Sequence, residues 1–312
     1  MISGFGYIEV PMARPCGAPS TGTGTQMAAS GLKMRLRNWL LGRKTYKFFL
    51  RDWLALGDLQ RAADVLATMR FSQNLVPTLM PGPKADRITV IAPHPDDEMM
   101  GPGGTIIAAL DRGADVDVVY LSRGRHGAAG DELCAEAQAL ADRLGYRTHF
   151  LDHPLRNIPV DLPAAQALAD LLASLASGAL FIPFLLDDHD DHRRASHLLL
   201  ESMRSKPSLA LPEIWGYQVY TTLPGNVAVD ITDVASRKAE AIRGFASQMK
   251  IRDWPHWALG LNAFNSRFVS GGAEPRYIES FFVVPAQAYR DICAHYFDGA
   301  ADSVYREENY RS

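Results

Sequence analysis

The chain has 312 residues, 47% hydrophobic and 21% charged, with a formal net charge of −3. That is the balance of a globular protein with room for one sizeable core and an appendage, and it offers no basic field that would gather nucleic acid. Cys16, Cys134 and Cys293 lie far apart with no CxxC, which speaks against a disulfide scaffold and for a reducing, cytoplasmic setting.

Residues 1–30 are rich in Gly, Ser, Thr and Pro and read as a disordered extension, with Met27 and Met34 as alternative starts. No basic stretch leads into an apolar core there, so no secretory signal is expected. Residues 31–86 read as a helical extension and linker. Its first part, Gly31 to Arg51, carries seven basic residues and no acid, interleaved with Trp39, Tyr46, Phe48 and Phe49. This segment either docks its apolar face on the main domain or rests on an anionic membrane, which would place the protein at the inner membrane surface. "LVPTLMPGPKADR" reads as the linker. The longest uncharged run, Leu171 to Leu186, is shorter than a spanning helix.

The main domain spans 87–300, with 301–312 as a tail. "RITVIAP" predicts a strand, "GGTIIAALDRG" a helix and "DVDVVYLS" a strand. "DELCAEAQALADRLG" follows as a helix closed by Gly145, then "RTHFLD" as strand, "LPAAQALADLLAS" as helix and "ALFIPFLL" as strand. "RRASHLLLESMRS" and "EIWGYQVY" continue as helix and strand. Near-continuous apolar strands alternating with helices predict a Rossmann-like α/β fold, a parallel sheet with helices on both faces.

In such sheets, sites form at the carboxyl ends of the strands. "PHPDDE" follows one strand and "DDHDDH", Asp187 to His192, follows another. Either cluster alone concentrates like charge, which a divalent cation between them would relieve. His94 and Asp97, three apart around Pro95, can converge on one metal, and His192 completes a His-Asp-His set. Three protein ligands with an open position fit a catalytic zinc site. Asp96 adjoins a ligand and can take a proton from the activated water. His189 can face the same cavity and stabilise charge on a substrate oxygen. "GPGG", Gly101 to Gly104, lacks dinucleotide-fingerprint spacing and suits close packing of a helix on the sheet.

"PHPDDE…GGT" followed by an "HxDH" loop resembles the PIG-L/LmbE family of zinc-dependent N-acetylglucosamine deacetylases, and "VAVDIT…RKAEAIRGFASQ" and "YIESF" resemble its later segments. The resemblance runs from about Arg87 to Val284. It implies one zinc per chain held by His94, Asp97 and His192, Asp96 as general base, His189 as oxyanion stabiliser, and release of acetate from an N-acetylated sugar or glycoconjugate. A metal-dependent phosphoesterase and a non-catalytic sugar-binding protein are the competing readings.

The chain departs from the family where Asp190 replaces the Pro of "HPDH", where "SRGRHG" replaces an acidic loop, and where Leu133 and Cys134 replace an arginine pair before Glu136. Arg123 and Arg125 are therefore either solvated loop charges or a grip on an anionic substrate group. His126 is a further candidate lining residue, and Asp152 a candidate partner for a sugar hydroxyl. His153 stands at the exit of its strand, and His197 is expected on a helix exterior. Lys238 and Glu279 form either a structural ion pair or support for the site.

Overall fold

Eight strands make one sheet in the order β1-β7-β8-β6-β5-β2-β3-β4. They are β1 (Thr78–Met80), β2 (Arg87–Ala92), β3 (Asp115–Ser122), β4 (Arg147–His153), β5 (Ala179–Pro183), β6 (Glu213–Tyr217), β7 (Val227–Asp230) and β8 (Ile278–Pro285). The computed structural model describes residues 65, 77–222, 225–269 and 274–298. The expected disorder of 1–30, the basic helix at 31–51 with its membrane contact, and the tail 301–312 lie outside the described residues. Among the described residues, no helix is long and apolar enough to cross a membrane.

One expectation is corrected: the segment read as linker contributes β1, whose Thr78, Leu79 and Met80 pair in parallel with Val227, Ala228 and Val229. The sheet is mostly parallel with helices on both faces, as expected, and among the described strands β8 alone runs antiparallel, to both β6 and β7. Buried strands of either direction read as the same apolar run, so sequence pattern does not give their direction.

The central strands are apolar on both faces because both are covered. Ile91, Val119, Leu121 and Ile182 point into one core. It is closed by α4 (Leu162–Leu175), α5 (Asp190–Ser205) and α9 (Ala286–Phe297). Ile88, Val90, Val118 and Phe181 point into the other. That face is covered by α1 (Asp97–Met100), α2 (Gly103–Asp111), α3 (Ala128–Leu144), α6 (Ala235–Arg243) and α8 (Trp254–Asn265). The short α7 (Ala246–Met249) lies between α6 and α8. Each fully buried Val, Leu or Ile contributes roughly 1.5–3 kcal/mol.

Local chemistry sets the helix ends. Gly145 ends α3 with φ 87°, the left-handed cap that glycine takes without penalty. Asp161 starts α4 by accepting the Ala164 N–H at 3.0 Å, with Pro163 in the first turn. The glycines after the acidic motif allow close packing as expected. A Cβ at Gly101 would overlap the Tyr217 ring, and one at Gly104 would lie 2.7 Å from the Ile231 side chain.

A buried ion pair ties the α1–α2 segment to the sheet. Glu279 on β8 accepts the N–H groups of Gly104 (2.7 Å) and Thr105 (2.8 Å), and the Thr105 hydroxyl at 2.6 Å. Its carboxylate thus sits on the positive end of α2. Lys238 on α6 approaches Glu279 at 2.7 Å and donates to the carbonyls of Met100 and Gly101, which α1 leaves unpaired. Both residues are buried, and burial lowers the lysine pKa, which Glu279 opposes. The pair is structural support for the motif-bearing segment. Lys238→Met should cost about 3–5 kcal/mol, because it strands a buried carboxylate, and adding Glu279→Gln should recover part of the loss. Urea unfolding of the three proteins checks this; an unshifted midpoint for Lys238→Met would contradict it.

Candidate functional site

The connection from β2 leads through α2 to β3 on one side, and that from β5 leads through α5 to β6 on the other. β2 and β5 pair directly, so the crevice at their carboxyl ends is the topological switch point, where open α/β sheets place ligands. The "PHPDDE" and "DDHDDH" segments both emerge there.

After β2 the chain turns sharply. Asp96 caps α1 at φ 114° and ψ −27°, a conformation costly for any residue with a Cβ and a mark of functional constraint. Its carbonyl accepts Met99 N–H at 3.0 Å and Met100 N–H at 2.8 Å, and its own N–H reaches Glu98 Oε2 at 3.0 Å. Glu98 is fully buried, receives the Tyr146 hydroxyl at 3.3 Å, and is pushed up to about 7 by burial. Glu98 therefore holds the backbone of Asp96 in place.

α5 begins within the acidic motif, not after it, and this places His192 on its first turn. Asp97 Oδ2 then lies 3.2 Å from His94 Nδ1 and 3.3 Å from His192 Nε2, and it accepts the His94 backbone N–H at 2.9 Å. The far nitrogen of each ring faces another carboxylate. His94 Nε2 is 2.9 Å from Asp191 Oδ2, and His192 Nδ1 is 3.0 Å from Asp187 Oδ1. Asp187 is itself held by the N–H groups of His189 (3.1 Å) and Tyr220 (3.0 Å), and Asp191 by that of Arg156 (2.8 Å). Buried Arg193 donates to the Asp187 carbonyl at 2.7 Å and pairs with Asp190. That pairing gives the residue standing in place of the family's Pro a charge partner.

Donor atoms around a zinc ion bound at about 2.0–2.1 Å in a tetrahedron stand about 3.3–3.4 Å apart. The two His–Asp97 distances match such edges. His192 Nε2 is fully buried and meets no hydrogen-bond geometry, as suits a nitrogen left to hold a metal. Carboxylates behind ligating histidines are the usual means of fixing their tautomer and raising basicity.

His189 is the third imidazole, its ring centroid 4.8 Å from that of His94 and 5.0 Å from that of His192. The three histidines can bring ligand atoms within 4.8 Å of one another, so a three-histidine set competes with the His-Asp-His set. The hydrogen bonds favour the latter. His189 Nδ1 accepts the Asp191 N–H at 3.1 Å and so caps α5. A neutral ring that accepts at Nδ1 carries its proton on Nε2. Nε2 is then a donor, and ligation through it would sacrifice the cap.

The charges agree with a site built for a cation. Burial opposes ionisation of His94 and His192, but Asp191 and Asp97 raise the first to about 9, and Asp97 and Asp187 raise the second to about 10. Burial likewise opposes a charge on Asp97, yet His192 and His94 hold it well below the ordinary carboxylate range. Asp96 is shifted the other way, upward, by burial and by the neighbouring Asp97. Burial and the charges on His94 and His192 push His189 down to about 3, so it stays neutral.

Thus His94, Asp96, Asp97, His189 and His192 come together, and the arginine loop packs beside them, where a Cβ at Gly124 would stand 3.3 Å from the His94 Cβ. Arg123 Nε bonds Asp152 Oδ1 at 2.8 Å and also pairs with Asp131, all three at the surface. Arg123 and Asp152 thus partner each other at the surface. Arg125 donates to Gln248 Oε1 at 3.3 Å, and His126 is exposed. His197 is not on an exterior: it stacks on Phe297 at 4.3 Å, and burial lowers it to about 4. His149 joins Arg147 on Asp117. Sequence reasoning missed Glu98, Asp187, Asp191 and Tyr220 as parts of the site. The density of acids in "DDHDDH" was the available signal for the two aspartates.

The family model for PIG-L, GlcNAc-PI de-N-acetylase, matches residues 89–203. The diacetylchitobiose deacetylase of Thermococcus kodakarensis is 28% identical over 231 residues, covering 66% of this chain and 86% of that protein. The N,N'-diacetylchitobiose deacetylase structure from Pyrococcus horikoshii superposes with a TM-score of 0.57 at 24% identity, covering 74% of this chain and 95% of that one. The 4-carboxy-2-hydroxymuconate hydratase of Pseudomonas putida gives 0.54 at 23%, covering 64% and 95%. At such identities the structural likeness establishes the fold, and the hydratase is a reminder that a fold hosts more than one reaction. The matched family model spans both acidic motifs and the strands that carry them, and over that segment the chain is similar to PIG-L/LmbE-like deacetylases.

Proposed function

We propose that this protein is a zinc-dependent hydrolase that removes the N-acetyl group of an N-acetylglucosamine-type sugar or conjugate, releasing acetate and a free amine. One observation carries the reading. Asp97 Oδ2 is shared between His94 and His192 at zinc-like spacing, with a carboxylate behind each ring. His94 Nδ1, Asp97 and His192 Nε2 would hold the metal. When bound, zinc supplies Lewis acidity toward water and the amide carbonyl.

The remaining steps belong to the chain's own residues. Asp96, raised by burial and by Asp97, takes a proton from the attacking water and passes it to the departing nitrogen, for which a raised carboxyl is suited. His189, neutral and protonated on Nε2, donates to the oxyanion as negative charge develops there. Glu98 fixes the strained turn that aims Asp96. The related deacetylases of diacetylchitobiose support an N-acetyl sugar as substrate. A phosphoesterase usually clamps phosphate between two metals. Among the described residues, His94, His189 and His192 form the only such metal-holding group.

Metal binding should displace protons. In the metal-free protein His94 and His192 are cationic up to about pH 9 and 10, whereas a ligand must be neutral. Zinc affinity should therefore rise with pH from 6 to 9, with about two protons released per ion near pH 7.5. The same raised values make metal-free stability full below about 6.5, the ordinary histidine value, and progressively lost toward 9–10. Calorimetric titration in two buffers of different ionisation heat checks the release; zinc uptake without protons would remove these histidines from the ligand set.

Asp96→Asn should keep zinc and lower kcat by about 10²–10⁴, and His189→Ala should lower it by about 10²–10³ with zinc content unchanged. Amine release from N-acetylated sugars, with metal analysis of each variant, reads both. Near-normal turnover of Asp96→Asn would move the base elsewhere. A change confined to KM would make His189 a binding residue.

A further inference from the structure

Helix α8 differs from the other long helices. Its twelve residues, "WPHWALGLNAFN", include no Asp, Glu, Lys or Arg. Every other described helix of nine residues or more carries at least one. A helix apolar all round belongs in a protein core or against lipid. Yet only one stripe of α8, with Pro255, Ala258, Asn262 and Asn265, is buried.

Trp254, Trp257, Leu261 and Phe264 recur at three and four residues and so share a neighbouring flank. The first three are half-buried, and Phe264 is 51% exposed. Ile251, just before the helix, is 59% exposed. Each end of the stripe carries an arginine on an aromatic face. The Arg252 guanidinium lies 5.0 Å over Trp254, and that of Arg267 lies 3.6 Å over Phe264. Lys250 is a third exposed cation, 3.8 Å from Glu132. Asp253 is the only acid from Lys250 to Arg267, and it caps the helix.

Tryptophan, phenylalanine and isoleucine set between basic residues suit a lipid–water interface, with rings at headgroup level and cations on phosphates. A protein partner fits less well. At 1.5 Å per residue the stripe is about 18 Å long, and at about 10 Å width it offers roughly 200 Å². That is about a quarter of what each partner gives to a stable interface.

We propose that α8 with Ile251 is a docking surface for an anionic lipid bilayer. Ile251, Trp257 and Phe264 enter the headgroup layer, and Arg252 and Arg267 hold the surface on lipid phosphates. Trp257 lies 5.4 Å from Tyr220, and Tyr220 lies 5.4 Å from the His192 ring, so docking brings the histidine crevice to the membrane surface. The surface stands whether or not that crevice hydrolyses N-acetyl sugars.

The test uses the full chain with vesicles of phosphatidylcholine, alone or mixed with phosphatidylglycerol. Sedimentation should show tighter binding to the mixed vesicles, and hydrogen exchange at 250–267 should slow when they are added. Ile251→Ser combined with Phe264→Ser should weaken binding about ten- to a hundredfold, the effect of two half-exposed apolar side chains. Arg252→Ser should weaken it about fivefold on the mixed vesicles, as for one cation near an anionic surface. Leu162→Ser, at a position 59% exposed on the helix layer of the other sheet face, should change nothing. Absence of binding, binding without protection at 250–267, or an equal loss in Leu162→Ser overturns the proposal. Protection that appears without lipid as protein concentration rises gives the surface to a second copy and overturns it too.

Discussion

One carboxylate oxygen shared by two imidazoles is the constraint on which the rest of the site depends. Asp97 Oδ2 sits within 3.3 Å of both His94 and His192, which arrive from loops after two adjacent parallel strands. Asp187 and Asp191 add two more buried acids behind the rings. Unit charges 4 Å apart interact by roughly 4 kcal/mol at the effective dielectric of a protein surface, so this concentration of carboxylates needs cationic compensation. The strained Asp96, the Glu98 beneath it, and the Lys238–Glu279 pair under the next turn all hold the segment where that compensation is possible.

The candidate centre is largely legible in the sequence because its chemistry is local. "PHPDDE" and "DDHDDH" name their residue types, and strand–helix alternation places both at strand ends. What could not be read depends on direction and tertiary pairing. Nothing in the spacing of Asp187 and Asp191 says that their carboxylates face the far nitrogens of His192 and His94. The tautomer of His189 follows from a single backbone donor, the Asp191 N–H, which exists because α5 starts earlier than its apolar pattern suggests. β1 is three residues among prolines and glycines, too short to show a period.

The substrate side changes most once tertiary structure is known. Arg123 and Asp152, 29 residues apart, form an ion pair at the surface, which leaves that loop with less unpaired positive charge than its sequence suggests. The aromatic row from Tyr220 to Trp254 comes from a strand exit and a helix start that are distant in the chain, and Arg252 lies over its outer ring.

The central claim is that His94, Asp97 and His192 bind one metal while His189 stays outside as a hydrogen-bond donor. A crystal structure of the zinc-loaded protein, with the ion located by anomalous scattering at the zinc edge, tests it most directly. The account predicts one ion at about 2.0–2.1 Å from His94 Nδ1, Asp97 Oδ2 and His192 Nε2, with His189 Nε2 beyond bonding distance and its Nδ1 still on the Asp191 amide. An ion bonded to all three histidines with Asp97 displaced, or two ions in the crevice, would contradict it.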